Sequence, residues 1–281
     1  PREKSARWPD HLRQLSGACL NMRFAVLTTD TSHHRYFLRR LAAELPDGAE
    51  IVLNIIETKD YPWRRKARRH ILESLPNLWK AFALNPYRQS ATLAQRQATF
   101  EEKHFFPDDD DALPEGFPTH AVHSANEDDC LAFIQAAAPD ALLVYGTGKL
   151  LPRVFNIAPM GAINAHGGLI PGFRGLDTNL WAALEGRPGD MAVTLHAIDA
   201  DLDTGPVYET RFLPPAADLN LSSLRYHTAV LCTDMFLDLI RDLVAGEATA
   251  TPQRGESQYF GPMPTRLKLR AEEIILAWIV P

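Results

Sequence analysis

Cysteine is scarce in this chain, and its placement excludes more than its number does. Cys19, Cys130 and Cys232 are the only three, and none belongs to a C-x-x-C pair or stands beside closely spaced histidines. A disulfide framework and a thiolate metal site are therefore not expected; the thiols read as structural groups of a reducing compartment. Long apolar runs are missing as well. No stretch approaches the roughly 18 residues of a membrane-spanning helix. Residues 1–21, polar and charged, lack the apolar centre of a secretion signal. The chain therefore reads as cytoplasmic, with no membrane partner. Positive charge is not in excess either: the net charge is −6, which disfavours a general nucleic-acid-binding surface. The common catalytic signatures are also absent. There is no G-x-S-x-G elbow, no H-E-x-x-H, no P-loop, and Gly146-Thr147-Gly148 is not continued into a dinucleotide fingerprint. His33-His34 has no partner ligands nearby in sequence, so no metal is expected.

What is present is ordinary for a globular protein: 281 residues, 46% hydrophobic and 23% charged, enough for a substantial core. Apolar runs at Arg23–Thr28 and Ile51–Ile56 flank a helical pattern over Tyr36–Leu45, which suggests a βαβ unit and a parallel sheet. Residues 61–105, with Arg64–Arg69 and Arg88, read as two or more inserted helices. The acidic run Asp108–Asp111 reads as a solvated turn in the loop 107–118. The α/β pattern then resumes. Strands are expected at Thr119–Val122, Ala141–Tyr145, Gly161–Asn164, Ala192–Ile198 and Val207–Phe212. Helices are expected at Ala125–Ala138 (with Asn126 as cap), Leu176–Leu184, Leu219–Val244 and Ala271–Ile279. The fold class is α/β, a Rossmann-like, open and mostly parallel sheet flanked by helices. Its expected division is an N-terminal extension (1–21), a catalytic core (22–212) carrying a helical insertion (61–118), and a C-terminal helix and extension (213–281).

Chemistry concentrates in INAHGGLIPGFRG (163–175) and VTLHAIDADLDTGPVY (193–208). Positions i and i+2 of a strand share a side, so Asn164 and His166 would present an amide and an imidazole to one place. Both can donate to an oxygen that gains negative charge. Asp203, ahead of Thr204-Gly205-Pro206, stands in a specified turn; near His166 its carboxylate would orient the imidazole and raise its pKa. Ligands of open α/β sheets bind beyond the carboxyl ends of strands, and three loops, at Gly146–Gly148, Asn164–His166 and Asp199–Gly205, fall at such ends.

The composite pattern N-x-H-x-G-L-I-P-x-x-R-G, then Ala183-Leu184-Glu185-Gly186, V-T-L-H and D-x-G-P, resembles the folate-dependent formyltransferase family. That family includes glycinamide ribonucleotide transformylase, methionyl-tRNA formyltransferase and the sugar N-formyltransferases. The resemblance is dense over 141–212, looser over 22–60 and 119–140, and weak in the insertion. It implies Asn164, His166 and Asp203 as the catalytic set and 10-formyltetrahydrofolate as formyl donor, with no metal. A neutral primary amine would attack the formyl carbon, Asn164 and His166 would stabilise the oxyanion, and Asp203 would hold His166. The implied folate pocket is Gly148, Leu150 and Leu151 on one side and Ile198, Asp199, Ala200, Asp201 and Leu202 on the other. Some members place an Arg near the pterin where this chain aligns Gly148, with Lys149 beside it.

Gly168, Arg174 and Trp181 are the expected acceptor-binding residues. Only about seventy residues follow the strand after Asp203, short of the C-terminal barrel the resemblance implies for tRNA formyltransferases, so a nucleic-acid acceptor is not expected. H-G-G-L-I-P-G-F-R-G and the Gln253–Tyr259–Phe260 tail resemble the sugar-nucleotide branch. The expected acceptor is therefore the amine of an aminosugar nucleotide, whose diphosphate Arg174, Arg64–Arg69 or Arg88 would meet. Other readings are a different small amine, hydrolysis of formyltetrahydrofolate, or a non-catalytic folate- or nucleotide-binding protein. A homodimer is compatible with the sequence.

Overall fold

The computed structural model describes residues 21–58, 86–108 and 110–280. The N-terminal extension with Cys19, the first part of the insertion with Arg64–Arg69, and the Arg88 side chain lie outside the described residues.

The central strand explains the sheet. β1 (Met22–Thr28) is apolar nearly throughout, and Phe24, Ala25, Val26 and Leu27 are completely buried, as expected of a parallel strand covered on both faces. It pairs in parallel with β2 (Ala49–Glu57) on one side and β4 (Ala141–Val144) on the other. β3 (Thr119–Val122) adds beyond β2, and β5 (Ala162–His166) beyond β4, both in parallel. β7 (Ala192–Ala197) and β8 (Val207–Phe212) then continue the sheet antiparallel. The order is β3-β2-β1-β4-β5-β7-β8, and β6 (Arg174–Gly175) with β9 (Tyr259–Phe260) forms a separate two-stranded ladder. Because the chain builds outward from β1 to β3 and then returns to the other side, a topological switch falls between β1 and β4, where ligand crevices open in such sheets.

Strand alternation divides the core in two. Phe24, Val26, Leu143 and Ile163 face α1 (Ser32–Glu44), through Phe37 and Leu41, and the long C-terminal helix, through Phe236 and Ile240. Ala25, Leu27, Leu142 and Val144 face α3 (Asp128–Ala137), through Cys130 and Ile134, and the short α4 (Pro152–Phe155). The helix from the insertion, α2 (Pro86–Phe105), packs against α1. A third cluster joins α5 (Thr178–Leu184), the N-terminal end of α6 (Leu224–Ala245) and α7 (Thr265–Ile279) around Phe173 and Phe260. Among the described residues no helix is long and apolar enough to cross a membrane.

Several boundaries differ from expectation for local reasons. α1 begins at Ser32, before the apolar periodicity starts at Tyr36, and brings His33 and His34 into the interior beside Tyr145. α3 begins at Asp128, and Asn126 does not cap it: its amide instead spans the Lys149 carbonyl and the Leu151 N–H. α6 starts at Leu224 because Asn220 folds a turn, its side chain accepting the Ser222 N–H at 2.8 Å. The described residues of the acidic run, Asp108, Asp110 and Asp111, are exposed. Asp110 and Asp111 pair with Arg39 and Arg35 of α1 at 3.0 and 2.5 Å, surface contacts of small individual worth. Of the expected inserted helices over 61–105, one spans Pro86–Phe105, and the rest of that stretch lies outside the described residues.

Candidate functional site

The site is assembled where β5, β7 and the loop after β7 meet. β5 runs two residues further than its apolar stretch suggests, through His166, so Asn164 and His166 are true i, i+2 neighbours on one side of a strand. The antiparallel register with β7 sets His196 directly opposite Asn164 and Thr194 opposite His166. Asn164 Nδ2–H donates to His196 Nε2 at 3.1 Å. Thr194 Oγ1 donates to the Gly168 carbonyl at 2.7 Å, which fixes the turn that follows His166.

Asp203 reaches this pair from the loop between β7 and β8. Its backbone is left-handed, φ 54°, a conformation Asp tolerates better than most residues. Several contacts impose it. The Gln253 side chain donates to the carbonyls of Asp203 and Gly205 at 3.0 and 2.7 Å, and Arg174 donates to the Leu202 carbonyl at 3.1 Å. Gly205 lies so close to Ala197 that a Cβ there would sit 1.9 Å from the Ala197 carbonyl oxygen. Held this way, the Asp203 carboxylate accepts the Gly175 N–H at 2.9 Å, with Oδ2 3.5 Å from His166 Nδ1 and Oδ1 3.6 Å from His196 Nε2.

The far side of each ring fixes the proton inventory. His166 Nε2–H donates to the Phe173 carbonyl and His196 Nδ1–H to the Ala197 carbonyl, both at 2.8 Å. A carbonyl only accepts, so these nitrogens carry the protons, and the nitrogens facing Asp203 are the ones free to gain or lose one. The cluster is a carboxylate between two imidazoles, all three buried. Burial lowers the His166 pKa below its usual value, and the opposing pull of Asp203 and of the Phe173 carbonyl does not offset it. The sequence-based expectation that Asp203 would raise it overall is thus corrected: desolvation is the larger effect. For Asp203, burial pushes upward, but His196, His166 and the Gly175 N–H together bring its carboxyl below the usual range.

These residues floor a cavity of about 420 Å³. Val144, Gly146, Thr147, Gly148, Lys149 and Leu150 form one wall. Ile198, Asp199, Asp201, Leu202 and Asp203 form another, and Gly175, Leu176 and Tyr259 form the rim. The cavity has the size of a small-molecule site. Of the residues expected there, Asn164, His166, Asp203, Gly148, Leu150, Ile198, Asp199, Asp201 and Leu202 line it together.

The others lie elsewhere. Leu151 and Ala200 are exposed outside the lining, and Gly168 packs behind His166, where a Cβ would come 2.7 Å from the ring. Arg174 points at the Leu202 backbone, not into the cavity. Trp181 stacks on Phe260 at 5.3 Å and donates to the Gly261 carbonyl at 2.9 Å, so its indole belongs to the core under β9. Sequence reasoning missed His196. Its signal was the polar pair Thr194 and His196 at alternate positions of an otherwise apolar strand, legible only with the β5 register in hand. No group of His, Cys, Asp or Glu among the described residues is arranged to hold a metal.

Comparison with known proteins bears on this geometry. Residues 86–232 match the family described as formyl transferase. A methionyl-tRNA formyltransferase of Desulfotalea psychrophila is 31% identical over 149 residues, covering 53% of this chain and 46% of that protein. The chain thus spans about half the length of the curated relatives it matches. Among solved structures, a sugar N-formyltransferase from a Shewanella species superposes with a TM-score of 0.52 at 13% identity, over 85% of this chain and 76% of that one. Glycinamide ribonucleotide transformylase 1 from Symbiobacterium toebii gives 0.51 at 16%, over 82% and 95%. At these identities the superpositions speak for the fold, the mostly parallel sheet flanked by helices expected from the sequence.

Proposed function

We propose that this chain, which belongs to the formyl transferase family, moves a formyl group from 10-formyltetrahydrofolate to a primary amine at the Asn164–His166–Asp203 cluster. The observation that carries the reading is the buried carboxylate of Asp203 between two imidazoles, at the floor of a cavity of about 420 Å³ whose walls are the β4 turn and the 198–203 loop. Val144, Leu150, Ile198 and Leu202 supply apolar surface for a ring system, and Lys149, Asp199 and Asp201 add polar groups beside it.

Bound there, the donor supplies an electrophilic formyl carbon and a nitrogen leaving group. Asn164 donates a hydrogen bond to the oxygen that gains charge as the amine attacks, and His166 joins it once Nδ1 carries the amine's proton; one such donor is worth roughly 10²–10³ in rate. His166 Nδ1, unprotonated at the start, takes the proton shed by the attacking amine; the Asp203 carboxylate beside it stabilises the proton there, and Nδ1 then passes it to the departing nitrogen. General acid–base help of this kind contributes about 10²–10⁴. Burial lowers the His166 pKa, which favours release of that proton to the departing nitrogen. His196 steadies Asn164 and the carboxylate.

For the acceptor we favour the amine of an aminosugar nucleotide, supported by the H-G-G-L-I-P-G-F-R-G segment and the net charge of −6. A second reading, an aminoacylated tRNA, is favoured by the curated methionyl-tRNA formyltransferases at 27–32% identity. Incubating the protein and 10-formyltetrahydrofolate with aminosugar nucleotides, glycinamide ribonucleotide and methionyl-tRNA separates the readings, with products identified by mass. Formylation of only the sugar amine supports the first. Formylation of tRNA replaces it with the second. Formate release without an amine indicates hydrolysis, and no consumption of donor with any of them overturns the transferase reading.

A further inference from the structure

The wall of the cavity between Gly146 and Leu151 belongs to no helix or strand, so no ladder of backbone hydrogen bonds fixes its shape. It is held from outside by two residues of other elements. Glu57, the last residue of β2 and only 4% exposed, accepts the Gly148 N–H with Oε2 at 2.8 Å and the Ala125 N–H with Oε1 at 3.1 Å. A Cβ added at Gly148 would meet the same carboxylate at 3.5 Å, an ordinary van der Waals contact. Asn126, next to Ala125, completes the grip: its Nδ2–H donates to the Lys149 carbonyl at 2.8 Å, and its Oδ1 accepts the Leu151 N–H at 2.7 Å. Three bonds thus tie Gly148, Lys149 and Leu151 to the β2 end and the loop before α3, and the fourth, from Ala125 to Glu57, joins those two anchors to each other. Between the anchored residues sits Leu150, whose side chain is buried in the wall. Neither its N–H nor its carbonyl is engaged by a hydrogen bond among the described residues.

We propose that Glu57 and Asn126 are positioning residues for the donor site, a clamp that sets the 148–151 wall at the spacing needed to take the flat heteroaromatic ring of the folate. The assignment rests on the donor reading above. Neither residue touches the reacting atoms; both act through the peptide groups of the wall. A carboxylate is suited to the task because it only accepts, and so can satisfy two N–H groups from two loops. Glutamine at this position presents one acceptor and one donor, and sets an N–H against an N–H.

The test is equilibrium binding of tetrahydrofolate to the full chain by calorimetry, for wild type, Glu57→Gln, Glu57→Asp and Asn126→Ala. Each variant is first checked to be folded by circular dichroism, and His166 is titrated by NMR in each. The expected result is a dissociation constant raised about tenfold or more in Glu57→Gln and Asn126→Ala, with partial recovery in Glu57→Asp and an unchanged His166 titration. Wild-type-like affinity in a folded Glu57→Gln or Asn126→Ala overturns the clamp while leaving the donor reading in place. If Glu57→Gln does not fold, Asn126→Ala, whose side chain lies nearer the surface, decides alone. Wild type that does not bind tetrahydrofolate overturns the donor reading and the clamp with it.

Discussion

Asp203→Asn isolates the charge at the centre of the site from its shape. Asn is nearly isosteric with Asp and adopts a left-handed backbone at least as readily, so the φ of 54° remains accessible. Its Oδ1 can still accept the Gly175 N–H that Asp203 accepts at 2.9 Å. What disappears is the negative charge 3.5 Å from His166 Nδ1. Unit charges about 4 Å apart interact by about 4 kcal/mol at an effective dielectric constant near 20. At about 1.4 kcal/mol per tenfold this sets an upper bound of roughly three decades on what the charge contributes to a protonated His166 in the transition state. The amide returns part of it through its own dipole, which leaves an expected loss of about 10²–10³ in the rate of formyl transfer. The sign on His166 is definite. Burial already holds its pKa low and Asp203 opposes that, so in the variant His166 titrates at still lower pH. Tetrahydrofolate release in single turnovers reads the rate, and NMR of the imidazole reads the titration. A variant within threefold of wild type, with His166 unmoved, would refute the role given to the carboxylate.

Acid should destabilise the protein early. His33, His34 and His166 have folded-state pKa values below the 6.5 of a free imidazole, in each case chiefly through burial. The unfolded chain therefore binds more protons below that pH. Their contribution is fully present above it and is lost as the pH falls, by up to about 1.4 kcal/mol per pH unit for each residue; a urea midpoint that stays flat from neutrality to about pH 5 would contradict this. Gly205→Ala forces a methyl against the Ala197 carbonyl, which cannot swing aside, and should cost about 1–3 kcal/mol of stability. Gly168→Ala meets the Thr178 and His166 side chains instead, and should show its effect mainly as a lower rate. Gln253→Ala removes two of the bonds that hold the Asp203 loop and leaves the one from Arg174, so turnover is expected to drop roughly tenfold, with a melting temperature lowered by only a few degrees. Trp181→Phe keeps the ring over Phe260 but deletes the bond to Gly261; stability should fall by about 1 kcal/mol while ligand affinity is unchanged, whereas weakened acceptor binding would return Trp181 to the site.

Much of the fold can be read from apolar runs, because strands buried on both faces must be apolar almost continuously. Arg23–Thr28 and Ala141–Val144 announce themselves in this way. Helix starts were less legible. Asn126 has the chemistry of a cap, yet its amide finds a carbonyl and an N–H in the segment after β4, a contact no local pattern encodes. The candidate site shows the same division. Asn164 and His166 are two residues apart, so strand periodicity alone puts them on one side. Asp203 could be singled out by its turn and by the family resemblance. His196 could not, because its place opposite Asn164 depends on an antiparallel pairing of β5 with β7, where the sheet turns from parallel to antiparallel. Trp181 and Arg174 mislead for a related reason: an indole and a guanidinium suit ligands and cores equally well, and only packing decides between them.

The most direct test of the central claim is a single-turnover reaction of the full chain with formyl-labelled 10-formyltetrahydrofolate and a panel of amine acceptors, run in parallel with His166→Ala. The account predicts label transferred to the nitrogen of one acceptor class, one tetrahydrofolate released per formyl moved, and a rate lower by about 10²–10³ in the variant. Donor left intact by wild type, or label transferred equally fast without the imidazole, would contradict it.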